Sequence, residues 1–214
     1  MKKLTALGLF FFLFAGICSS GCAQGINQDL NLLLRKGIDL CLSGAYEEAV
    51  STFSQVLKLS VDQDINRQAL LYLGYTYFAL GDHSKAKSQV EEVIKISPQT
   101  ALDEKEFGAE FTKFFETTKR ELVGIAFIES IPSRAMIWID KAKIDYTPIK
   151  IELLAQKYRL RVVKGGYTPY EETLVITSNI FNPVKVDLTK EKNWKSFITS
   201  SLIMIAVSFL VRSF

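Results

Sequence analysis

The residue types that carry most enzyme chemistry are scarce in this chain. It has one histidine, His83, and three cysteines in 214 residues. Cys18 and Cys22 fall in an N-terminal apolar stretch, so a processed chain keeps only Cys41 and has no intramolecular disulfide framework available. Packing must hold the fold. A surplus of one charge is also missing: 26 Lys and Arg face 23 Asp and Glu, without a long basic block, which excludes the electrostatic footprint of a nucleic-acid binder. No metal-ligand spacing occurs. No glycine-rich phosphate loop occurs either, because Gly165-Gly166 lies between predicted strands and lacks the lysine-serine or lysine-threonine such a loop uses. The carboxylates of Glu47 and Glu48, and of Glu91 and Glu92, are adjacent on predicted helices and point to different azimuths, as solvated faces do and acid/base pairs do not. His83 reads as a turn residue, with no serine or cysteine motif beside it. The expectation is a non-enzyme: no catalytic residue, no metal and no cofactor.

What is present begins with hydrophobicity. Hydrophobic residues make up 48% of the chain, and its mean hydropathy is +0.15, slightly high for a soluble protein. The excess sits at the two ends. Met1-Lys2-Lys3 followed by apolar residues 4–17 predicts a secretory signal over 1–23, with cleavage after the small-x-Ala pattern Gly21-Cys22-Ala23. Ser19-Ser20-Gly21-Cys22 also resembles a lipobox with serine in place of the aliphatic residue, so Cys22 is either a lipidation site or a small residue of an ordinary leader. At the other end, Lys190, Lys192, Trp194 and Lys195 flank residues 196–211, which carry no charge before Arg212. That stretch predicts a C-terminal transmembrane helix. At about 1.5 Å per residue it reaches about 24 Å, short of a roughly 30 Å hydrocarbon core unless Lys195 and Arg212 snorkel or the bilayer thins. A helix buried against the protein is the competing reading. Three lysines before the span and one arginine after it favour a cytoplasmic body by charge alone, but a leader translocates a long domain largely regardless of charge. The expectation is an exported, membrane-anchored body in the cell envelope.

Residues 27–122 have helical periodicity and repeat themselves. Ser43-Gly44-Ala45-Tyr46-Glu47-Glu48-Ala49 recurs as Leu80-Gly81-Asp82-His83-Ser84-Lys85-Ala86, 37 residues on. With a three-residue insertion near 61–64 this resembles two tetratricopeptide repeats, whose period is about 34 residues. Leu73, Gly74, Tyr77, Ala86 and Pro98 stand at that family's landmark positions in the second repeat, and Gly37, Tyr46, Ala49 and Phe53 in the first. Gly37 and Gly74 would let paired helices approach closely, and Gly44 and Gly81 would end the first helices. This alignment puts Leu34, Ile38 and Cys41 with Gln68, Leu71, Tyr75 and Phe78 on one mostly apolar inner face. Such a face is either a groove for a partner's apolar segment or is covered by another part of the chain. A capping helix is expected near 108–122, with Phe111, Phe114, Phe115 and Leu122 on one side and Glu110, Lys113, Glu116, Lys119 and Arg120 in solvent.

Residues 123–189 alternate with a period of two. Ala135, Ile137 and Ile139 oppose Met136, Trp138 and Asp140; further runs start at Tyr146-Thr147-Pro148, at Tyr158, Leu160 and Val162, over 173–177 and over 184–188. Five short strands separated by turns predict a small antiparallel sandwich, and the whole chain is α+β. Gly124, Ala126, Ile128, Ser130 and Pro132, then Thr147-Pro148 and Gly165-Gly166-Tyr167, resemble the landmarks of the PEGA domain, although Pro132-Ser133-Arg134-Ala135 keeps only the proline and alanine of the name-giving motif. The resemblance implies a cell-envelope binding or spacer module with no chemistry attached. The expected function is membrane-tethered protein interaction or assembly. The alternative is binding of peptidoglycan or another surface glycan on an aromatic platform of Trp138, Tyr167 and Tyr170, unless Trp138 packs against the helical region.

Overall fold

Five helices precede seven strands among the described residues. The computed structural model describes the backbone of residues 19–191 and the side chains of 28–191. The leader before Ser19, the Cys22 side chain, Trp194 and the anchor at 196–211 lie outside the described residues. No helix among those described is long and apolar enough to cross a membrane. The chain divides into two compact units between Leu122 and Val123.

In the first unit, α1 (Ser19–Leu42) pairs with α2 (Tyr46–Leu59) and α3 (Gln63–Ala79) with α4 (His83–Ile96). Both pairs turn in the same way. Gly44 and Gly81 adopt φ of +82° and +79°, and the backbone N–H groups that follow close the turns, Ala45 onto the Leu40 carbonyl at 2.9 Å and Asp82 onto the Tyr77 carbonyl at 2.9 Å. With the Gly44 and Gly81 N–H groups bonding Cys41 and Phe78, each turn is a Schellman motif, which needs a residue free of the left-handed steric penalty. Of the extra residues near 61–64, Val61 and Asp62 form the connection into α3 and Gln63 and Asp64 its first turn, where the Asp62 carboxylate accepts from the Asp64 and Ile65 N–H groups at 2.8 and 3.1 Å.

Within each pair the close approach differs. A Cβ on Gly37 would lie 2.7 Å from the fully buried Phe53 ring, so α1 must carry glycine there. At Gly74 the neighbours are Gln89 and Val90 at 3.4 Å, ordinary contact, because valine stands where the first pair has phenylalanine. Close approach is therefore obligatory in the first pair only. The core joins Leu30, Leu34 and Cys41 to Ala49, Phe53 and Val56 and to Ile65, Ala69 and Leu73.

The fifth helix, α5 (Glu104–Leu122), is broken at Gly108, whose φ of 74° and ψ of 157° are non-helical. The break folds its first turn so that Phe107 is buried together with Phe111 and Phe115. Lys119, expected in solvent, is buried, with its ammonium donating to the Thr100 carbonyl at 3.0 Å. The head thereby reaches the loop before that helix.

The second unit is two facing sheets. One has the order β4-β1-β7 and the other β3-β2-β5-β6, with β1 (Val123–Ile131), β2 (Met136–Ile139), β3 (Ala142–Tyr146), β4 (Ile149–Leu154), β5 (Lys157–Val163), β6 (Tyr170–Val175) and β7 (Phe181–Asp187). There are seven strands rather than five: β1 shows no alternation because Ile125 and Phe127 on its outer side are as apolar as Ala126 and Ile128 inside, and β3 is an edge strand, exposed everywhere but at Ile144. The sandwich is also mixed, since β1 and β7 run parallel. The first strand is central in its sheet, and the last can reach its free side running in the same direction because five strands intervene.

The inner faces contribute Ala126, Ile128, Ile137, Leu160, Val162 and Val186, all essentially inaccessible to solvent. Between the sheets lies a small polar knot. Ser130 Oγ donates to the Pro132 carbonyl at 2.7 Å, and Thr147 Oγ1, beside Ser130 Oγ, accepts the Ala135 N–H at 3.0 Å. Every buried hydroxyl there is satisfied, which fixes the path of the Pro132 turn without an unpaired polar group.

Candidate partner groove and β-sheet face

The residues assigned to a groove separate into two sets. Leu34 and Leu71 are buried, at 3% and 6% exposure, and belong to the packed interior rather than to a surface. Cys41 is buried with them. Burial pushes its thiol up, against a smaller lowering by the Thr76 hydroxyl 3.2 Å away, so it stays protonated and inert. Ile38, Tyr75 and Phe78 keep partial exposure, and Gln68 is exposed.

The aromatic residues of α3 already have partners, and most of those partners come from α5. Tyr75 meets Phe107 and Phe111 edge-on, with centroids 5.7 and 5.2 Å away. Phe78 meets Phe111 at 5.4 Å, Phe114 at 5.1 Å and His83 at 5.0 Å. These are favourable edge-to-face or tilted separations. Tyr72 adds a stack on Phe53 and a hydroxyl that donates to Glu106. Burial, then that carboxylate, drives the Tyr72 phenol well above its ordinary range, and burial also raises Tyr75, so neither ionises near neutral pH. Much of the expected groove is therefore covered by α5, and a strip from Ile38 to Phe78 with Gln68 beside it remains partly open. Phe107 is the covering residue that sequence reasoning missed. Its signal was a phenylalanine four positions before Phe111, masked by reading Gly108 as the helix start. His83 opens α4 and packs its ring against Phe78 and Phe114.

In the β unit the three aromatic residues do not share a face. Tyr170 pairs with the inward-facing Val162, and it and Tyr167 pack against the core. Trp138 lies on the opposite surface of the same sheet, paired with Lys143 on one side and Arg161 on the other. Arg161 in turn pairs with Glu171, which also binds Arg159 at 2.7 Å. The hydrogen bond from Arg159 holds the Glu171 carboxyl below its usual range. Trp138 is thus set among cations, an arrangement visible in sequence only as the alternation Lys157, Arg159, Arg161.

Helix pairs with repeated C-terminal turns, followed by a two-sheet module, define a class of protein built from a helical repeat and a β-domain. Residues 68–100 match the tetratricopeptide repeat model, and residues 123–192 match the PEGA domain model. The chain carries a PEGA domain preceded by tetratricopeptide repeat structure, and this domain pair suggests a protein-interaction module. The repeat match spans most of α3 and all of α4; the α1–α2 pair lies outside it. No curated protein matches the chain at a significant level.

Proposed function

We propose that the protein is a non-enzymatic interaction or assembly module of the cell envelope. It is exported by residues 1–23 and held at a membrane by residues 196–211, with both units outside the cytoplasmic membrane. The observation that carries this reading is the joining of a helical repeat, whose Ile38-to-Phe78 strip stays partly open, to a PEGA domain in one chain. Helical repeats of this kind present a concave, partly apolar surface on which an amphipathic segment buries its apolar stripe. The partner is a protein of the envelope.

Three measurements test the proposal separately. Protease added to intact spheroplasts is expected to degrade both units; protection that ends only on lysis overturns the export reading. Deleting 196–214 is expected to release the protein to the soluble fraction, while retention that depends on Cys22 transfers the anchoring to a lipid. For the partner, a photo-crosslinking residue at the exposed Gln68 is expected to yield a discrete adduct in cells, and one at the exposed Ser54 on α2 is not. Adducts at both positions alike, or at neither, overturn the strip as the binding surface.

A further inference from the structure

The outer face of the four-stranded sheet has a chemistry that partner binding by the helices does not use. On it Trp138 and Met136 of β2 lie between Lys143 and Tyr146 of β3 and Arg161 and Val163 of β5. Tyr146 is 53% exposed, and Trp138 and Met136 are half-buried. Further along β5, Arg159 and Lys157 point the same way by the two-residue period, with Glu171 of β6 on one side of Arg159 and Asp140, at the end of β2, on the other. Four cations against two carboxylates, Glu171 and, two positions beyond Trp138, Asp140, whose Oδ1 accepts the Arg159 N–H at 2.8 Å, interleaved with tryptophan, tyrosine and methionine, give a net-basic aromatic face of the kind that meets a membrane interface: the rings sit at headgroup depth while the cations meet phosphates.

The path of the chain favours a bilayer over other anionic surfaces. Lys190 forms a bridge to Tyr167, and the Glu191 N–H bonds the Gly166 carbonyl at 3.0 Å, so the chain leaves the domain beside the β5–β6 connection. Val163, Met136 and Tyr146 form the row of the outer face nearest that connection. From Glu191 to the apolar stretch at Ser196 the sequence has five steps, which span at most about 17 Å even when fully extended.

We infer that the outer face of the four-stranded sheet, centred on Trp138 with Lys143, Lys157, Arg159 and Arg161 around it, docks on the anionic headgroups of the bilayer. This rests on the reading that residues 196–211 anchor the chain. Docking lays the β unit against the membrane and leaves the helical unit to meet the partner.

The test uses the full chain carrying Trp194→Phe, which leaves Trp138 as its one tryptophan. In vesicles of phosphatidylcholine with about one third phosphatidylglycerol, Trp138 emission is expected to shift to the blue and acrylamide quenching to fall about two-fold relative to phosphatidylcholine alone. The difference should vanish near 1 M salt, where the screening length is roughly 3 Å. Lys143→Glu with Lys157→Glu, both at exposed positions, should abolish it with an unchanged thermal melt, since each lysine at an anionic surface is worth roughly five-fold in affinity. Equal quenching in the two vesicle types overturns the proposal. So does protection of Trp138 by a soluble poly(glycerol phosphate) in the absence of vesicles at least as strong as that by the anionic vesicles, which would assign the face to a wall polymer. Flotation with neutral vesicles reads the anchor alone, so a chain that fails to float there overturns the anchor reading without altering the response of Trp138 to anionic lipid.

Discussion

Replacing Gly124 by alanine is expected to unfold the β unit while leaving the helical unit folded. A Cβ at this position would stand 2.2 Å from the Thr177 carbonyl oxygen, 2.8 Å from Ile176 Cγ2 and 3.0 Å from the Asn182 amide. The nearest of these is backbone, which cannot rotate away. Asn182 has its own task, donating to the carbonyls of Ile180 and Ile125 at 2.9 and 3.3 Å and so tying the start of β7 to β1. Relief would have to come from β1, the central strand on which both β4 and β7 pair. Overpacking a close-packed interior costs about 1–3 kcal/mol where side chains can yield, and more where a backbone must move. Limited proteolysis of the full chain should then cut early within 123–191 and late within 28–122. Gly165→Ala is the control, because nothing lies within 4 Å of its added Cβ. A Gly124→Ala protein that melts with the wild type would refute this account of the crossing.

Phe111→Ala should destabilise the helical unit more than any substitution on the half-open strip. The Phe111 side chain is 1% exposed and touches the rings of Tyr75, Phe78, Phe107 and Phe114. Truncating a buried phenylalanine costs about 3–5 kcal/mol, a large part of the roughly 5–15 kcal/mol that holds a domain of this size. The melting temperature of that unit should fall by at least about 10 °C, and Tyr75 and Phe78 should become accessible to an apolar dye. Phe114→Ala, at a half-buried position of the same helix, should cost visibly less. If Phe111→Ala leaves the melt within a degree or two of wild type, α5 is an appendage and the strip beneath it is open. Tyr75→Ala and Phe78→Ala both remove contacts to α5, so a loss of partner binding in either must be judged against its melt.

Much of this architecture was legible in the residues because it rests on local rules. Glycine at 44 and 81 ends a helix wherever it occurs in that context, so the repeat could be read from one motif recurring, and the cap geometry repeats with it. The alternation of Ala135, Ile137 and Ile139 with polar or bulky neighbours reports a half-buried strand, since side chains on a strand must point to opposite sides. The scarcity of cysteine, the single histidine and the balanced charge are properties of composition and need no fold.

What the tertiary structure decided were relations between segments distant in sequence. Whether the face of Tyr75 and Phe78 is a groove depends on where a helix some thirty residues later lies, and the Gly108 break, by turning Phe107 back onto Tyr72 and Tyr75, placed it there. Gly37 and Gly74 look equivalent in the repeat, yet only the first is obligatory, because its opposite residue is Phe53 and not Val90. Lys119 reads as a solvent residue until the Thr100 carbonyl is found within its reach. The direction of β7 beside β1 and the separation of Trp138 from Tyr170 are matters of pairing and register. A period of two says that successive side chains face opposite ways. It does not say which neighbouring strand lies beside which residue, and that choice, made by the burial of the two inner faces together, sets Trp138 among arginine and lysine instead of among tyrosines.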